Sequence, residues 1–203
     1  MLQTQTIQPK LLELLKLIIS SETFCGFNLV GGTSLALQIG HRFSIDIDMF
    51  GETEINDIEF TEELSNFGKV VTIKKSKNII VYSVDGIKVD FVNYNYPLLD
   101  KLIIVDDIRM VSDKDIAAMK LNAIAGRGSR KDFIDLYFLL KKYSLKEMIT
   151  FYNTKYQDGS EFMVMKSLTY FDDAEKEEMP IMFDEINWEE IKNEILIAGQ
   201  KLN

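Results

Sequence analysis

Cysteine and histidine are nearly missing from these 203 residues: Cys25 and His41 are the sole examples of each. One thiol excludes an intrachain disulfide, and one cysteine with one histidine cannot build a Cys/His zinc centre. Cys25 reads as a small buried hydrophobe rather than a nucleophile. His41 reads as a supporting or structural group rather than a base. Proline is also scarce, with Pro9, Pro97 and Pro180 alone. No apolar run approaches the roughly 20 residues of a membrane span, and the start MLQTQTIQPK lacks the basic and apolar regions of a secretion signal. A soluble cytoplasmic protein without membrane contact is expected.

Basic residues are outnumbered, 23 against 32 acids, for a net charge of -9. Such a balance argues against nucleic acid as a partner unless the charge is unevenly distributed. It is uneven. Between Gln157 and Glu190 eleven acids face only Lys166 and Lys176, so this stretch carries the whole excess. Elsewhere Lys120, Arg127, Arg130, Lys131, Lys141 and Lys142 face only Asp132 and Asp135, a local basic segment within the acidic whole. With 46% apolar residues the chain can bury one sizeable core or two small lobes.

The most informative stretch is Leu29 to Phe50, LVGGTSLALQIGHRFSIDIDMF. Gly31-Gly32 lets backbone amides approach an anion, Thr33 is placed to cap a helix over Ser34 to Ile39, and a helix start of this kind attracts phosphate. Gly40 suits the helix end. From Ser44 to Phe50 the pattern alternates with period two, with Ile45, Ile47 and Met49 on one face. Asp46 and Asp48 then share the other face, where two neighbouring carboxylates repel each other and favour a hard divalent cation such as magnesium. Taken singly, a glycine pair is commonly a plain turn and Asp-x-Asp a solvated strand face. Their order within one supersecondary unit points to phosphoryl or nucleotidyl transfer.

Along the chain, Ile7 to Ser20 predicts a helix with Pro9 in its first turn, and Asn56 to Asn66 a short acidic helix ended by Gly68. Lys69 to Lys74, Asn78 to Val84 and Ile87 to Tyr94 predict strands, the last two joined by the hairpin turn Asp85-Gly86. Asp90 alternates with Val89 and Phe91 and so projects from the face opposite to them. Lys74, Lys75 and Lys77 read as edge-strand charges that deter aggregation, the alternative being contact with nucleic acid. Leu102 to Val111 predicts one further strand. A helix from Asp113 to Ala125, closed by Gly126, carries Lys120 in its middle, and Ser129 is placed to cap a second helix on which Asp132 and Asp135 share a face. Arg127 and Arg130 suit phosphate contact and a water-exposed loop equally. Ser144 to Asn203 reads as helical, capped at Ser144 and Asn187, with Trp188 as a packing anchor.

GGTSLALQIGHRFSIDIDMF resembles the first motif of the polymerase-beta-like nucleotidyltransferases, and in this form the AbiEii family of bacterial abortive-infection toxins. KLNAIAGRGSRKDFIDLYFLL and SLTYFDDAEKEEMPIMF resemble later parts of the same family, so that the likeness spans roughly residues 27 to 183. The resemblance implies an α+β fold: a nucleotidyltransferase lobe with a small mixed sheet over residues 1–111, a helical lobe over 112–203, and a cleft between them. It implies that Gly31, Gly32, Thr33, Arg42 and Ser44 belong to the nucleotide and metal site, and that Asp90 joins Asp46 and Asp48 as third metal ligand. It also implies that Lys120 contacts the triphosphate, that Asp132 orients Lys120 or acts near the acceptor, and that Arg127, Arg130 and Asp135 lie on the nucleotide side. The expected chemistry is transfer of a nucleoside monophosphate from an NTP, with two Mg2+ ions, to an RNA such as the acceptor end of a tRNA. The expected setting is a toxin with a cognate antitoxin. A small molecule or a protein hydroxyl is the alternative acceptor, and a catalytically silent binding module of the same fold is the third reading.

Overall fold

Leucines and isoleucines at three- and four-residue spacing, with proline at the first helical position, form α1 (Pro9–Ser20). It is the first helix of a computed structural model that describes residues 1–202. The chain divides into two compact units. The first comprises residues 1–40, 44–96 and 102–111; the second comprises 41–43, 97–101 and 112 onward. The long motif is thus shared, with its middle three residues belonging to the second unit.

The first unit is built on a seven-stranded mixed sheet. Its strands are β1 (Asn28–Leu29), β2 (Asp46–Gly51), β3 (Val70–Lys75), β4 (Ile79–Val84), β5 (Ile87–Asn93), β6 (Ile103–Val105) and β7 (Ile108–Met110). The spatial order is β3-β4-β5-β2-β1-β7-β6. β2 lies at the centre, antiparallel to β1 and parallel to β5. One face of the sheet is apolar: Ile47 and Met49 of β2, Val89 and Phe91 of β5 and Ile80 and Tyr82 of β4 pack with Leu11, Leu15 and Ile18 of α1. Phe24 stacks on Phe91 at 4.7 Å between ring centroids and meets Phe60 edge-on at 5.1 Å. Phe60 belongs to α3 (Asp57–Ser65), which Asn56 caps through the amide of Glu59. Arg109 on β7 donates to the carbonyls of Ile19, Phe24 and Phe27, fastening the end of α1 and the following turn to the sheet. The opposite face of β2 and β5 carries Asp46, Asp48, Lys88 and Asp90, followed by Phe50 and Val92.

The second unit holds α4 (Asp113–Gly126), α5 (Arg130–Leu140), α6 (Leu145–Lys155), α7 (Glu161–Ser167) and α8 (Trp188–Gln200). α4 packs on α5, α6 and α7, and α5 packs on α8. Phe133, Phe171 and Trp188 form an aromatic cluster in this packing. Ser144 and Asn187 cap α6 and α8, the former through a full capping box with Glu147. The buried Lys155 donates to Asp115 Oδ1 and to the carbonyl of Pro97, both at 2.7 Å, while the amide of Leu99 donates to Asp115. That ion pair fixes residues 97–99 to α4 and α6. Among the described residues no helix is long and apolar enough to cross a membrane.

Several local expectations need correction. Residues 102–111 are not one strand but the β6–β7 hairpin, turning at Asp106 and Asp107, both with positive φ. An Asp-Asp pair does not announce such a turn as Asn-Gly does. α2 (Gly31–Ile39) begins at the glycine pair itself, so Thr33 lies inside the helix and caps nothing. Gly126 completes α4, and the left-handed residue after it is Gly128. Ile45 precedes β2 and is exposed, as is Cys25. Residues 168–187 are not helical apart from a 3-10 turn at Ala174–Lys176.

Candidate active site

In the first unit the site grows from α2 and β2. Val30 enters the helix from an extended conformation, and its amide donates to the carbonyl of Asp48. Gly31 turns the chain with φ +68. A Cβ there would stand 2.5 Å from Asp48 Oδ2, so the absence of a side chain is what lets this carboxylate rest against the helix start. The first turn of a helix leaves its amides without intrahelical acceptors and carries the positive end of the helix dipole, which suits an anion. The buried hydroxyl of Thr33 lies 2.8 Å from Ser44 Oγ and hydrogen-bonds the carbonyl of Asp46. Thr33 and Ser44 thereby tie the helix start to the strand start.

Asp46 and Asp48 alternate with the buried Ile47 and Met49 and stand on the same face of β2. Parallel pairing places Asp48 directly opposite Asp90, and Asp46 opposite Lys88. The three carboxylates therefore occupy one face of two adjacent strands. Lys88 Nζ lies 2.6 Å from the Asp90 carboxylate. Burial works to lower the pKa of Lys88, but the hydrogen bond to Asp90 and the fields of Asp90, Asp48 and Asp46 outweigh it and raise the pKa above its ordinary value. Among the described residues, no three acidic, histidine or cysteine side chains already converge to hold a single ion. In kind, however, the donors fit a hard divalent cation: paired carboxylates beside a glycine that leaves room for one of them.

A second charged cluster lies within the second unit. Asp135 of α5, wholly buried, is its hub. It accepts Arg42 Nε at 2.7 Å and Arg42 Nη2 at 2.9 Å in a bidentate pair, His41 Nε2 at 2.7 Å, and Lys120 Nζ at 2.6 Å. Lys120 also lies 3.0 Å from Asp132, which in turn accepts Arg127 and the Ser129 hydroxyl. Burial opposes the ionised form of Asp135, yet Arg42 and Lys120 hold its pKa well below the ordinary range. For Asp132 burial is likewise outweighed, by Lys120 and Arg127, and its pKa falls to about 2. Lys120 is pulled down by burial and raised further by Asp135 and Asp132, so it stays charged. Burial lowers the pKa of His41 against the opposing pull of Asp135, and its Nδ1 is buried without a hydrogen bond.

The two arginines after α4 differ. Arg127 pairs with Asp132 but keeps 69% of its side chain exposed. Arg130 is buried, donates to the carbonyls of Ala174 and Glu175, and stacks 4.8 Å over Trp188. The structure thus brings Asp46, Asp48 and Asp90 together with Gly31, Gly32, Thr33 and Ser44 in the first unit. Arg42, Lys120, Arg127, Asp132 and Asp135 assemble in the second.

A model of the family described as "Nucleotidyl transferase AbiEii toxin, Type IV TA system" matches residues 13–201. The chain belongs to the AbiEii nucleotidyltransferase toxin family. A protein of Aquifex aeolicus with no assigned role is 38% identical over 188 residues, 89% of each chain. The fold is shared with MenT4, a nucleotidyltransferase toxin of Mycobacterium tuberculosis, at TM-score 0.62 and 14% identity, covering 94% of this chain and 81% of that one. It is also shared with JHP933 of Helicobacter pylori, at TM-score 0.57 and 16% identity, covering 95% and 88%. Membership makes the chain an enzyme that transfers nucleotidyl groups, on an α+β fold.

Sequence reasoning missed Lys88 and the depth of the Asp135 network. The Lys88-x-Asp90 spacing on a strand was a usable signal, since residues two apart share a face. Nothing local in the sequence ties His41 and Arg42 to a residue more than ninety positions away.

Proposed function

We propose that this AbiEii-family enzyme transfers a nucleoside monophosphate from an NTP to a hydroxyl of an RNA acceptor, with magnesium held by Asp46, Asp48 and Asp90. The observation that carries the reading is the pairing of Asp48 with Asp90 on strands β2 and β5, beside Asp46 and against Gly31. Two Mg2+ ions, when bound, would neutralise the phosphates and the charge that builds on the transferred group. The amides of Gly31, Gly32 and Thr33 bind phosphate at the start of α2. Ser44 keeps Thr33 in place for that contact. Asp90 takes the proton of the acceptor hydroxyl as it attacks the α-phosphate, and pyrophosphate leaves in line. The family resemblance assigns Lys120 to the triphosphate and Asp132 to orienting Lys120 or acting near the acceptor, while Asp135 locks Arg42, His41 and Lys120 in one arrangement. Of the two arginines, Arg127 is the better candidate for phosphate contact because Arg130 is engaged with backbone carbonyls. The biological setting proposed is a cytoplasmic toxin held in check by an antitoxin.

A second acceptor class has its own support. Lys142 is paired with Asp113, Lys120 with two aspartates and Arg130 with carbonyls, so the basic segment offers less open charge than its composition suggests. A small molecule or a protein hydroxyl would need less cationic surface than an RNA. The test is incubation with each α-labelled NTP, magnesium and either total bacterial RNA or RNA-free extract. Labelled RNA from the wild type and none from Asp48→Asn is expected. Label confined to protein or small solutes would select the second acceptor class, and equal labelling by Asp48→Asn would remove the catalytic assignment.

A further inference from the structure

On the charged face of the central strands, four side chains form a square. Asp46 stands opposite Lys88, and Asp48 opposite Asp90, in parallel register. Paired strands lie roughly 5 Å apart, so all four charges belong to one small patch. Three corners are carboxylates and the fourth is an ammonium. Lys88 leans along its own strand rather than across to Asp46, bringing Nζ within 2.6 Å of Asp90. The pair is only partly covered, with 42% of the lysine side chain and 20% of the aspartate side chain exposed. Asp90 is therefore held by a cation that the chain itself supplies.

We propose that Lys88 is a resident counter-ion that competes with a divalent cation for Asp90, so that metal binding requires the ammonium to swing away. The proposal rests on reading Asp46, Asp48 and Asp90 as the metal site. Lysine is well suited to such a role, because its charge is compact, strongly hydrated and carried on a flexible four-carbon stem, so it leaves the carboxylate without moving the strand. Its partial exposure gives it water to enter. While it remains, it satisfies the carboxylate and repels an incoming dication. Without metal it prevents three like charges from facing one another uncompensated.

The test is a Mn2+ titration followed by electron paramagnetic resonance, on the wild type and on Lys88→Met, Lys88→Arg, Asp48→Asn, Asp90→Asn and the Lys88→Met/Asp90→Asn double variant. Lys88→Met is expected to bind Mn2+ about five- to tenfold tighter, on the order of one partly exposed charge interaction. Lys88→Arg keeps the competition and binds like the wild type. In the Asp90→Asn background the Lys88→Met gain shrinks to the smaller part owed to charge repulsion alone, because the contested carboxylate is gone. The rise in melting temperature on adding Mn2+ is larger for Lys88→Met than for the wild type, and Lys88→Gln serves in its place should the methionine variant not fold. Binding by Lys88→Met equal to or weaker than wild type overturns the proposal. So does an undiminished gain in the Asp90→Asn background, which would mean long-range repulsion without competition. Mn2+ affinity unchanged in Asp48→Asn would instead overturn the metal-site reading beneath it.

Discussion

Gly31→Ala separates the cost of a strained backbone from the cost of a displaced carboxylate. At φ +68 any residue with a Cβ loses about 1–2 kcal/mol relative to glycine. For a chain of this size that is a fall in melting temperature of roughly 2–8 °C. The new methyl group would lie 2.5 Å from Asp48 Oδ2 and 3.3 Å from its Cγ, so the carboxylate must move. Because the obstructed atoms are the end of a side chain, the fold survives while Asp48 leaves its place. A displacement near 1 Å at a reacting centre costs about a hundredfold in rate. Gly86→Ala is the matched control: φ is +87, in the hairpin turn, and a Cβ meets nothing within 4 Å. Nucleotidyl transfer by both variants is measured beside thermal melting. Similar melting losses are expected, with activity lost only for Gly31→Ala. Full activity in Gly31→Ala, or equal loss in both, would refute the argument that Gly31 exists to make room for Asp48.

Asp135→Asn removes the buried charge on which Arg42 and Lys120 converge, leaving Lys120 only its Asp132 partner; urea denaturation should show a loss of about 3–5 kcal/mol, and a loss below about 1 kcal/mol would contradict the hub role. The pKa of Asp132 is lowered from 3.8 to about 2 in the folded chain, so its stabilising contribution, about 2 kcal/mol, is present above pH 3.8 and is lost as pH falls through about 2. Arg127→Met weakens that depression, so the acid-unfolding midpoint followed by circular dichroism should move to higher pH; an unmoved midpoint would deny Arg127 its part. Arg109→Lys keeps the charge but cannot reach three carbonyls at once, and chemical denaturation should register a loss of about 2–3 kcal/mol.

What could be read from the chain followed its local periodicities. The Asp-Ile-Asp alternation, the Asp85-Gly86 hairpin, Gly40 as the left-handed end of α2 and the caps at Ser144 and Asn187 are all decided by neighbours a few residues apart. Placing Asp90 opposite Asp48 needed a register between strands some forty residues apart, which the strand patterns permit but do not specify. Thr33 is open to misreading because threonine before an apolar helix commonly caps it; here the hydroxyl is drawn to Ser44 and Asp46, a tertiary contact. The β6–β7 hairpin is hidden because aspartates in left-handed conformations at a turn look like ordinary loop acids. Lys88 escapes notice because a lysine on a strand is usually a solvated surface group, and its meaning depends on which carboxylates share its face.

The seam between sheet and helices in the sequence, at residues 111 and 112, is not a line along which the helical half can be excised. A fragment starting at Ser112 would leave Lys155 and Asp115 without the Pro97 carbonyl and Leu99 amide that complete their pairing. It would also deprive Asp135 of both groups supplied by His41 and Arg42. Truncation mapping of this toxin, by nature or by a cloning strategy, would therefore yield a half whose interior charges lack their complements, and split-protein designs must carry residues 41–43 and 97–101 along with the helices.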